Sequence, residues 1–151
     1  MITDYDAQYA PAFKQLNIEW IEKHFTVEPH DVEQLSNPDS YIISQGGYIL
    51  FAVYNKEAVG TCALIKTGEQ EFELVKMAVS PRMHGKQIGK LLGVAAVEKA
   101  KASGAKRIWL ESNRILTPAI NLYKKLGFVE IPVVESLYAR ADIKMEMHLS
   151  E

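Results

Sequence analysis

The clearest chemical pattern in the sequence is a glycine- and lysine-rich turn between a predicted strand and a predicted helix, in the segment VSPRMHGKQIGKLL at residues 79–92. Glycines recur every four residues in and just after this segment, and two lysines accompany them: Gly85, Gly89, Gly93, Lys86 and Lys90. On a helix, this spacing places the glycines on one nearly bare stripe. Backbone amides exposed at the start of a helix bind anions such as phosphates. The same spacing also fits a loop whose glycines only let the helix pack closely on the sheet.

Several other kinds of site are disfavoured by the sequence. Lys86 is followed by Gln87 instead of Ser or Thr, so the turn is not a P-loop, and GxxxG is not the GxGxxG of dinucleotide-binding folds. The only cysteine, Cys62, excludes an internal disulfide and a thiolate-rich metal site, and its apolar neighbours predict a buried thiol. The other histidines lack metal-ligand spacing and are expected to be structural or exposed: His24, His30 and His148. We therefore expect no metal.

The elements that position the turn follow from hydrophobic periodicity. Strands are predicted at 2–5, 48–54, 58–66, 72–79, 107–110, 128–134 and 143–149, and helices at about 10–25, from 29 to before 37, at 88–102 and at 117–125, the last with Thr117 as its N-cap. The order β-α-α-β-β-β-α-β-α-β-β predicts a mixed α/β (α+β) fold. It has one mostly antiparallel seven-stranded sheet with about four helices on its two faces, in a single domain over residues 1–151.

Composition narrows the class of protein. The chain has 151 residues, of which 48% are hydrophobic and 24% charged, and this is enough for one domain with a substantial core. The formal net charge of −2 disfavours a nucleic-acid partner, since such proteins usually present a basic face. Neither a signal peptide nor an apolar run of about 18 residues is present, so we expect a cytoplasmic protein with no membrane partner.

Two segments of the chain resemble the GNAT superfamily of N-acetyltransferases. The first, FELVKMAVSPRMHGKQIGKLL, runs from a strand through Val-x-Pro and the glycine-rich turn into a helix. The second, RIWLESNRILTPAINLYKKLGFVEI, contains Ala-x-x-Leu-Tyr-x-x-x-Gly-Phe about thirty residues later. The resemblance covers about residues 48–135, and the order of elements outside that span agrees with it.

The resemblance implies that acetyl-CoA is the cosubstrate. Its pyrophosphate would bind the amides of the turn, and its pantetheine arm would pair with the end of the preceding strand. The cofactor-binding residues implied in this way are Met77, Ala78, Val79, His84, Gly85, Lys86, Gln87, Ile88, Gly89 and Lys90. His84 stands where the family usually has Arg or Gln, and Gln87 replaces the first glycine of the motif. Because the donors are backbone groups, a helical Gln87 can still donate its amide.

The resemblance also implies two catalytic residues. Tyr123 matches the tyrosine whose hydroxyl, in many family members, points at the CoA sulfur, where it can serve the leaving thiolate. Glu73 lies on the strand before the turn, where family members often place a carboxylate base. On their patterns alone, Tyr123 could be a core aromatic and Glu73 a solvated glutamate beside Glu69 and Glu71. Glu111, at the end of a short strand, is the reserve base.

The acceptor pocket is the least specified part of the site. Tyr138 and Arg140 lie between the last two strands, a region that often borders the acceptor pocket in the family, and Glu111 is a third candidate for this pocket. Arg140 could bind the carboxylate of an amino acid with two hydrogen bonds, or it could belong to a salt-bridged surface loop. The first helices should supply the opposite wall, with Trp20, Glu22, Lys23 and Phe25.

The sequence therefore predicts an N-acetyltransferase that moves the acetyl group of acetyl-CoA to a primary amine of a small molecule, an amino acid or a peptide. A non-catalytic acyl-CoA-binding domain of the same fold is the alternative, because His84 and Gln87 depart from the family pattern. The oligomeric state is left open, a homodimer included.

Overall fold

In the computed structural model, residues 1–133 and 141–149 are described, and seven strands among them form one mixed sheet. The strands are β1 (Ile2–Asp4), β2 (Tyr48–Tyr54), β3 (Glu57–Gly68), β4 (Glu71–Val79), β5 (Arg107–Ser112), β6 (Val129–Ile131) and β7 (Ile143–His148). Their order across the sheet is β1-β2-β3-β4-β5-β7-β6, with β4 and β5 parallel and every other pair antiparallel. The predicted order of elements and the mostly antiparallel sheet are confirmed.

Four helices cover the two faces of the sheet: α1 (Ala10–His24), α2 (Pro29–Ser36), α3 (Ile88–Ala102) and α4 (Thr117–Leu126). On one face, Phe13 of α1 packs into a core with Phe51 of β2. On the other face, Leu92 of α3 and Ile120 of α4 pack with Ile108 of β5. The sheet is thus buried between two apolar layers, as the continuous apolar pattern of β2 predicts. No helix in the described parts of the chain is both long and apolar enough to cross a membrane.

Some elements begin or end at residues other than the predicted ones, and one element was not predicted. Leu116, and not Thr117, is the N-cap of α4, so Thr117 is the first helical residue. The predicted strand 128–134 is shorter, because the Phe128 amide donates to the Tyr123 carbonyl at 3.0 Å and the turn at Gly127 has φ +112°. A five-residue π-helical turn, Asp39–Ile43, has no signal that the periodicity detects.

The parallel pairing of β4 and β5 is short, and this splits the sheet. It runs only from Glu71 opposite Arg107 to Glu73 opposite Trp109. Beyond Glu73 an extra residue enters β4, because two steps along β3 match three steps along β4, and Lys76 has φ +57°. A bulge of this kind bends a strand. The carboxyl half of β4 therefore leaves β5, and a cleft opens between the two strands.

Candidate active site

The cleft leads into a cavity of about 770 Å³ that borders on both layers of the fold. Its walls are the carboxyl half of β4, the start of α3, the end of β5, one side of α4 and the last turn of α1. It collects most residues that the sequence singled out, which are Glu73, Met77, Ala78, Val79, His84, Gly85, Gln87, Ile88, Gly89, Lys90, Glu111 and Tyr123. Lys86 is the exception among the predicted cofactor-binding residues, since its exposed side chain lies outside the cavity lining.

The turn before α3 is built from two left-handed residues. A single helical turn, Pro81–Met83, follows β4, and then Gly85 has φ +83° and Gln87 has φ +60°. The prediction that Gln87 is helical was wrong, because Gln87 is the N-cap of α3. A side chain makes this conformation costly, by about 1–2 kcal/mol. A glycine would adopt it freely, and the change of the family's glycine to glutamine therefore adds strain to the turn.

The first turn of α3 presents free donors to the cavity. Leu91 donates its amide to the Gln87 carbonyl at 3.1 Å, which starts the helical hydrogen-bond pattern. The amides of Ile88, Gly89 and Lys90 come before this bond, and such amides have no carbonyl partner within a helix. The helix dipole and the Lys90 side chain add positive potential at the same point. The start of α3 is thus suited to an anion such as a pyrophosphate.

The three glycines do not form the predicted bare stripe. Gly85 precedes the helix, and a side-chain carbon added there would meet nothing within 4 Å. At Gly93 such a carbon would lie 2.6 Å from Cδ1 of Leu126, so this glycine permits close packing of α3 on α4. The packing interpretation therefore holds for Gly93, while Gly89 lines the cavity with 3.4 Å to Cδ2 of Leu122.

Glu73 is a buried carboxyl group and not a solvated glutamate. It is the last residue of β4 that pairs with β5, and only 9% of it is exposed. Burial, and after it the nearby charge of Glu111, raise the pKa of Glu73 to about 7, although Lys76 and Lys144 act in the opposite direction. A carboxyl with this pKa exists in both protonation states near neutral pH, which suits a general base.

Tyr123 belongs both to the core and to the cavity wall. Its half-buried ring packs edge-on against Phe128 with 6.1 Å between the ring centroids, and its carbonyl accepts the hydrogen bond from the Phe128 amide at the end of α4. Burial raises the pKa of the Tyr123 hydroxyl to about 12, and the Cys62 thiol adds to this shift. The hydroxyl therefore stays protonated at any physiological pH and can donate a hydrogen bond. Cys62 itself is buried, as predicted, and burial raises its pKa to about 12.

This geometry agrees with the comparisons with known proteins. The family model described as "Acetyltransferase (GNAT) family" matches residues 12–128. The chain belongs to the GNAT family of acetyltransferases. It is 31% identical over 145 residues to the uncharacterized N-acetyltransferase YjgM of Escherichia coli, which covers 91% of this chain and 84% of that protein. The family resemblance of the sequence is thereby confirmed, and the protein is an acetyltransferase.

Solved structures of GNAT proteins share the whole fold. An acetyltransferase of the GNAT family from Staphylococcus aureus Mu50 has a TM-score of 0.89, 22% identity, and 99% coverage of both chains. The PaiA N-acetyltransferase from Thermoplasma acidophilum, solved in complex with coenzyme A, has a TM-score of 0.79 and 18% identity, with 99% of this chain and 98% of that chain covered. At these identities the likeness concerns the fold.

Helix α1 forms the wall of the cavity at which the sequence analysis placed the acceptor. Trp20, His24 and Phe25 make an aromatic cluster with ring centroids 5.3–6.2 Å apart, and all three line the cavity. The sequence placed Trp20, Glu22, Lys23 and Phe25 at this wall. Lys23 also lines it, whereas Glu22 is exposed and lies outside the cavity lining, so its placement was wrong. His24, predicted to be structural or exposed, is exposed and lies on the cavity rim.

Some site residues could not be found from the sequence, and others are not described. Asn17 and Lys76 line the cavity, but a buried asparagine within a helix and a lysine within a strand carry no functional signal. Tyr138 and Arg140 lie outside the described residues, so their place near the acceptor remains a prediction. Ala141, the first described residue after them, lines the cavity.

Proposed function

We propose that this GNAT protein transfers the acetyl group of acetyl-CoA to a primary amine of a small molecule, an amino acid or a peptide. The observation that carries the proposal is that three features line one cavity: the start of α3, Tyr123 and Glu73. These are the groups that acyl transfer to an amine requires. One holds the donor, one serves the leaving thiolate, and one takes the proton from the amine.

The residues present fit acetyl-CoA. The free amides of Ile88, Gly89 and Lys90 would hold the pyrophosphate, and the left-handed Gly85 leaves open space for it. Within residues 1–133 and 141–149, no strand pairs with the cleft side of β4 from Met77 to Val79, because β5 leaves this strand after Glu73. An extended pantetheine arm would bind there in the manner of an additional strand. When bound, acetyl-CoA supplies a thioester carbon that the amine attacks as the C–S bond breaks.

Glu73 would act on the acceptor. An alkylamine with a pKa of about 10.4 is almost wholly protonated at neutral pH and cannot attack a carbonyl carbon until it loses a proton. Glu73 in its carboxylate form would accept this proton, directly or through a water molecule. Glu111 lies across the cleft on β5, opposite Lys144 in the register of the sheet. Since its charge raises the pKa of Glu73, Glu111 would also favour a cationic acceptor.

Tyr123 would act on the leaving group. A thiol has a pKa of about 8.5 and Tyr123 one of about 12, so full proton transfer to the thiolate is uphill by roughly 5 kcal/mol. Tyr123 is therefore better suited to donate a hydrogen bond to the developing thiolate than to release its proton. A hydrogen bond to a charged group is worth about 1.5–3 kcal/mol, which corresponds to about 10- to 150-fold in rate.

An amine screen tests the proposal. The protein is incubated with acetyl-CoA and a panel of small amines, amino acids and short peptides, and the release of free thiol is measured. We expect acceptor-dependent release with at least one class of amine, and mass spectrometry should find that acceptor heavier by one acetyl group. Tight binding of coenzyme A without thiol release from any acceptor would instead support the non-catalytic acyl-CoA-binding alternative.

A further inference from the structure

The bulge in β4 contains a lysine with an unusual backbone and an unusual partner. Lys76 has φ +57°, in the left-handed region that side chains disfavour. Its Nζ lies 3.3 Å from Oδ1 of Asp31, and the two side chains are only 4% and 0% exposed. Left-handed backbone and a buried ion pair both cost free energy, the first through steric conflict and the second through desolvation. Both costs meet at one residue, next to the cleft.

The bulge is what brings this lysine to its partner. Glu73 lies opposite Ile65 of β3, which packs in the layer of α1 and α2, and Val75 packs in that same layer. Regular alternation would turn Lys76 to the opposite face, toward α3. The extra residue in β4 breaks the alternation, and Lys76 instead contacts Asp31 at the first turn of α2.

Asp31 is itself held in place. Its Oδ2 accepts a hydrogen bond from the Glu28 amide at 2.9 Å, and the Glu28 side chain accepts one from the Asp31 amide in return. This capping box fixes the carboxylate at the start of α2. The ion pair thus connects a rigid helix end to the point where β4 turns away from β5.

The connection concerns the site because of where the bulge lies. It separates Glu73, the last residue paired with β5, from Met77, where the pantetheine-binding side of the strand begins. The Lys76 ammonium also favours the charged form of Glu73. Other charged or titratable groups facing Glu73 or sharing its cavity lie on each element around it: Glu111 on β5, Lys144 on β7, Lys23 and His24 on α1, His84 and Lys90 at the start of α3, and Tyr123 on α4.

We propose that Lys76, held by Asp31, is a positioning residue of this active site: the pair fixes the β4 bulge that opens the cleft, and it holds the Lys76 ammonium on the side of the sheet that carries Glu73. The proposal rests on the proposed function of Glu73 as the base. The effect of Lys76 on the titration of Glu73 can be measured whether or not catalysis depends on Glu73.

The test replaces Lys76 with methionine, which has a similar length and no charge. Lys56 is the matched control, because it also has a left-handed backbone, φ +62°, but is exposed in the β2–β3 turn. The titration of Glu73 is followed by carboxyl carbon NMR, with its resonance assigned by its absence in Glu73→Gln. The pH profile of kcat/KM is measured on the same variants.

We expect Lys76→Met to move the NMR midpoint of Glu73 to higher pH, and to lower kcat/KM at pH 6 about tenfold more than at pH 9. Lys76→Arg should restore both quantities, and Lys56→Met should change neither. If Lys76→Met does not fold because the buried Asp31 carboxylate loses its ion pair with Lys76, the double variant Asp31→Asn, Lys76→Met removes both charges and should still move the midpoint to higher pH.

An unchanged NMR midpoint in a folded Lys76→Met or double variant would overturn the proposal, as would an equal shift in Lys56→Met. The failure of the proposed function looks different. In that case Glu73→Gln would leave the acid limb of the pH profile in place, while the NMR midpoint of Glu73 in the parent protein would still respond to Lys76.

Discussion

Replacing Glu73 with glutamine should stabilise the protein at alkaline pH while it impairs turnover. The substitution keeps the size of the side chain and removes its ability to ionise. In the fold, burial raises the pKa of Glu73 from its ordinary value of 4.5 to about 7, because a charged carboxylate is poorly solvated in the cavity. The unfolded chain has no such environment. Ionisation of Glu73 is therefore less favourable in the folded protein than in the unfolded one.

The size and sign of the effect follow from this difference. A pKa raised from 4.5 to about 7 corresponds to about 3 kcal/mol, at 1.36 kcal/mol per pKa unit. Because the folded pKa is the higher one, the contribution of Glu73 to stability is fully present below pH 4.5 and is lost as the pH rises through 7. The parent protein should lose this free energy between those values, and the Glu73→Gln variant should not.

The measurement is urea denaturation of both proteins at pH 5 and at pH 8.5. We expect the difference in unfolding free energy between variant and parent to be about 2–3 kcal/mol more favourable to the variant at pH 8.5. Glu69→Gln is the matched control, because Glu69 is exposed in the β3–β4 turn, and it should change stability by less than about 0.5 kcal/mol at either pH. A difference between Glu73→Gln and the parent that is the same at both pH values would refute the reasoning.

The other predictions concern the leaving group, the anion site and the packing of α3. Tyr123→Phe should lower turnover about 10²-fold in the thiol-release assay without changing CoA affinity. Tyr54 is exposed, and Tyr54→Phe should change neither quantity. Equal turnover in both variants would show that Tyr123 is a core residue only. Lys90→Glu should weaken CoA binding, measured by calorimetry, about tenfold or more. Lys101→Glu makes the same charge change at the far end of α3 and should not weaken binding, so equal losses would argue against this anion site. Gly93→Val should cost about 1–3 kcal/mol in thermal unfolding, since an added Cβ would lie 2.6 Å from a side chain of α4, and an unchanged Tm would show that the contact is not tight.

Much of the fold could be predicted from hydrophobic periodicity, because the layered architecture depends on which residues are apolar. The strand Tyr48–Tyr54 was located to the residue, since five of its seven side chains are buried. The helix from Ile88 to Ala102 likewise follows its apolar spacing, and its end is marked by Gly104 with φ +86°. The two motif segments, with which the order of strands and helices agrees, were then enough to recognise the family.

The shape of the cleft could not be predicted, because it depends on contacts between distant residues. The sequence around Lys76 does not indicate a bulge, and Asp31, the ion-pair partner of Lys76, is 45 residues away in the chain. The same limit applies to Glu73. Three glutamates alternate along 69–73, and only Glu73 is buried. The predicted conformation of Gln87 was wrong because glutamine is usually compatible with a helix, and nothing in the local sequence indicates a left-handed residue there.

Several unfavourable features of the described residues lie between residues 73 and 87, beside the cavity. They are a buried carboxyl group, a left-handed lysine in a buried ion pair, and a left-handed glutamine at the start of α3. Elsewhere the sheet lies between two well-packed apolar layers, whose burial offsets these costs. Backbone and side-chain preferences are thus violated close to where β4 and β5 separate. A functional site accounts for these violations better than packing does. A ligand whose phosphates meet the free amides of α3 would relieve part of the cost by binding only the folded protein. Coenzyme A should therefore raise the unfolding temperature, and less so in Lys90→Glu.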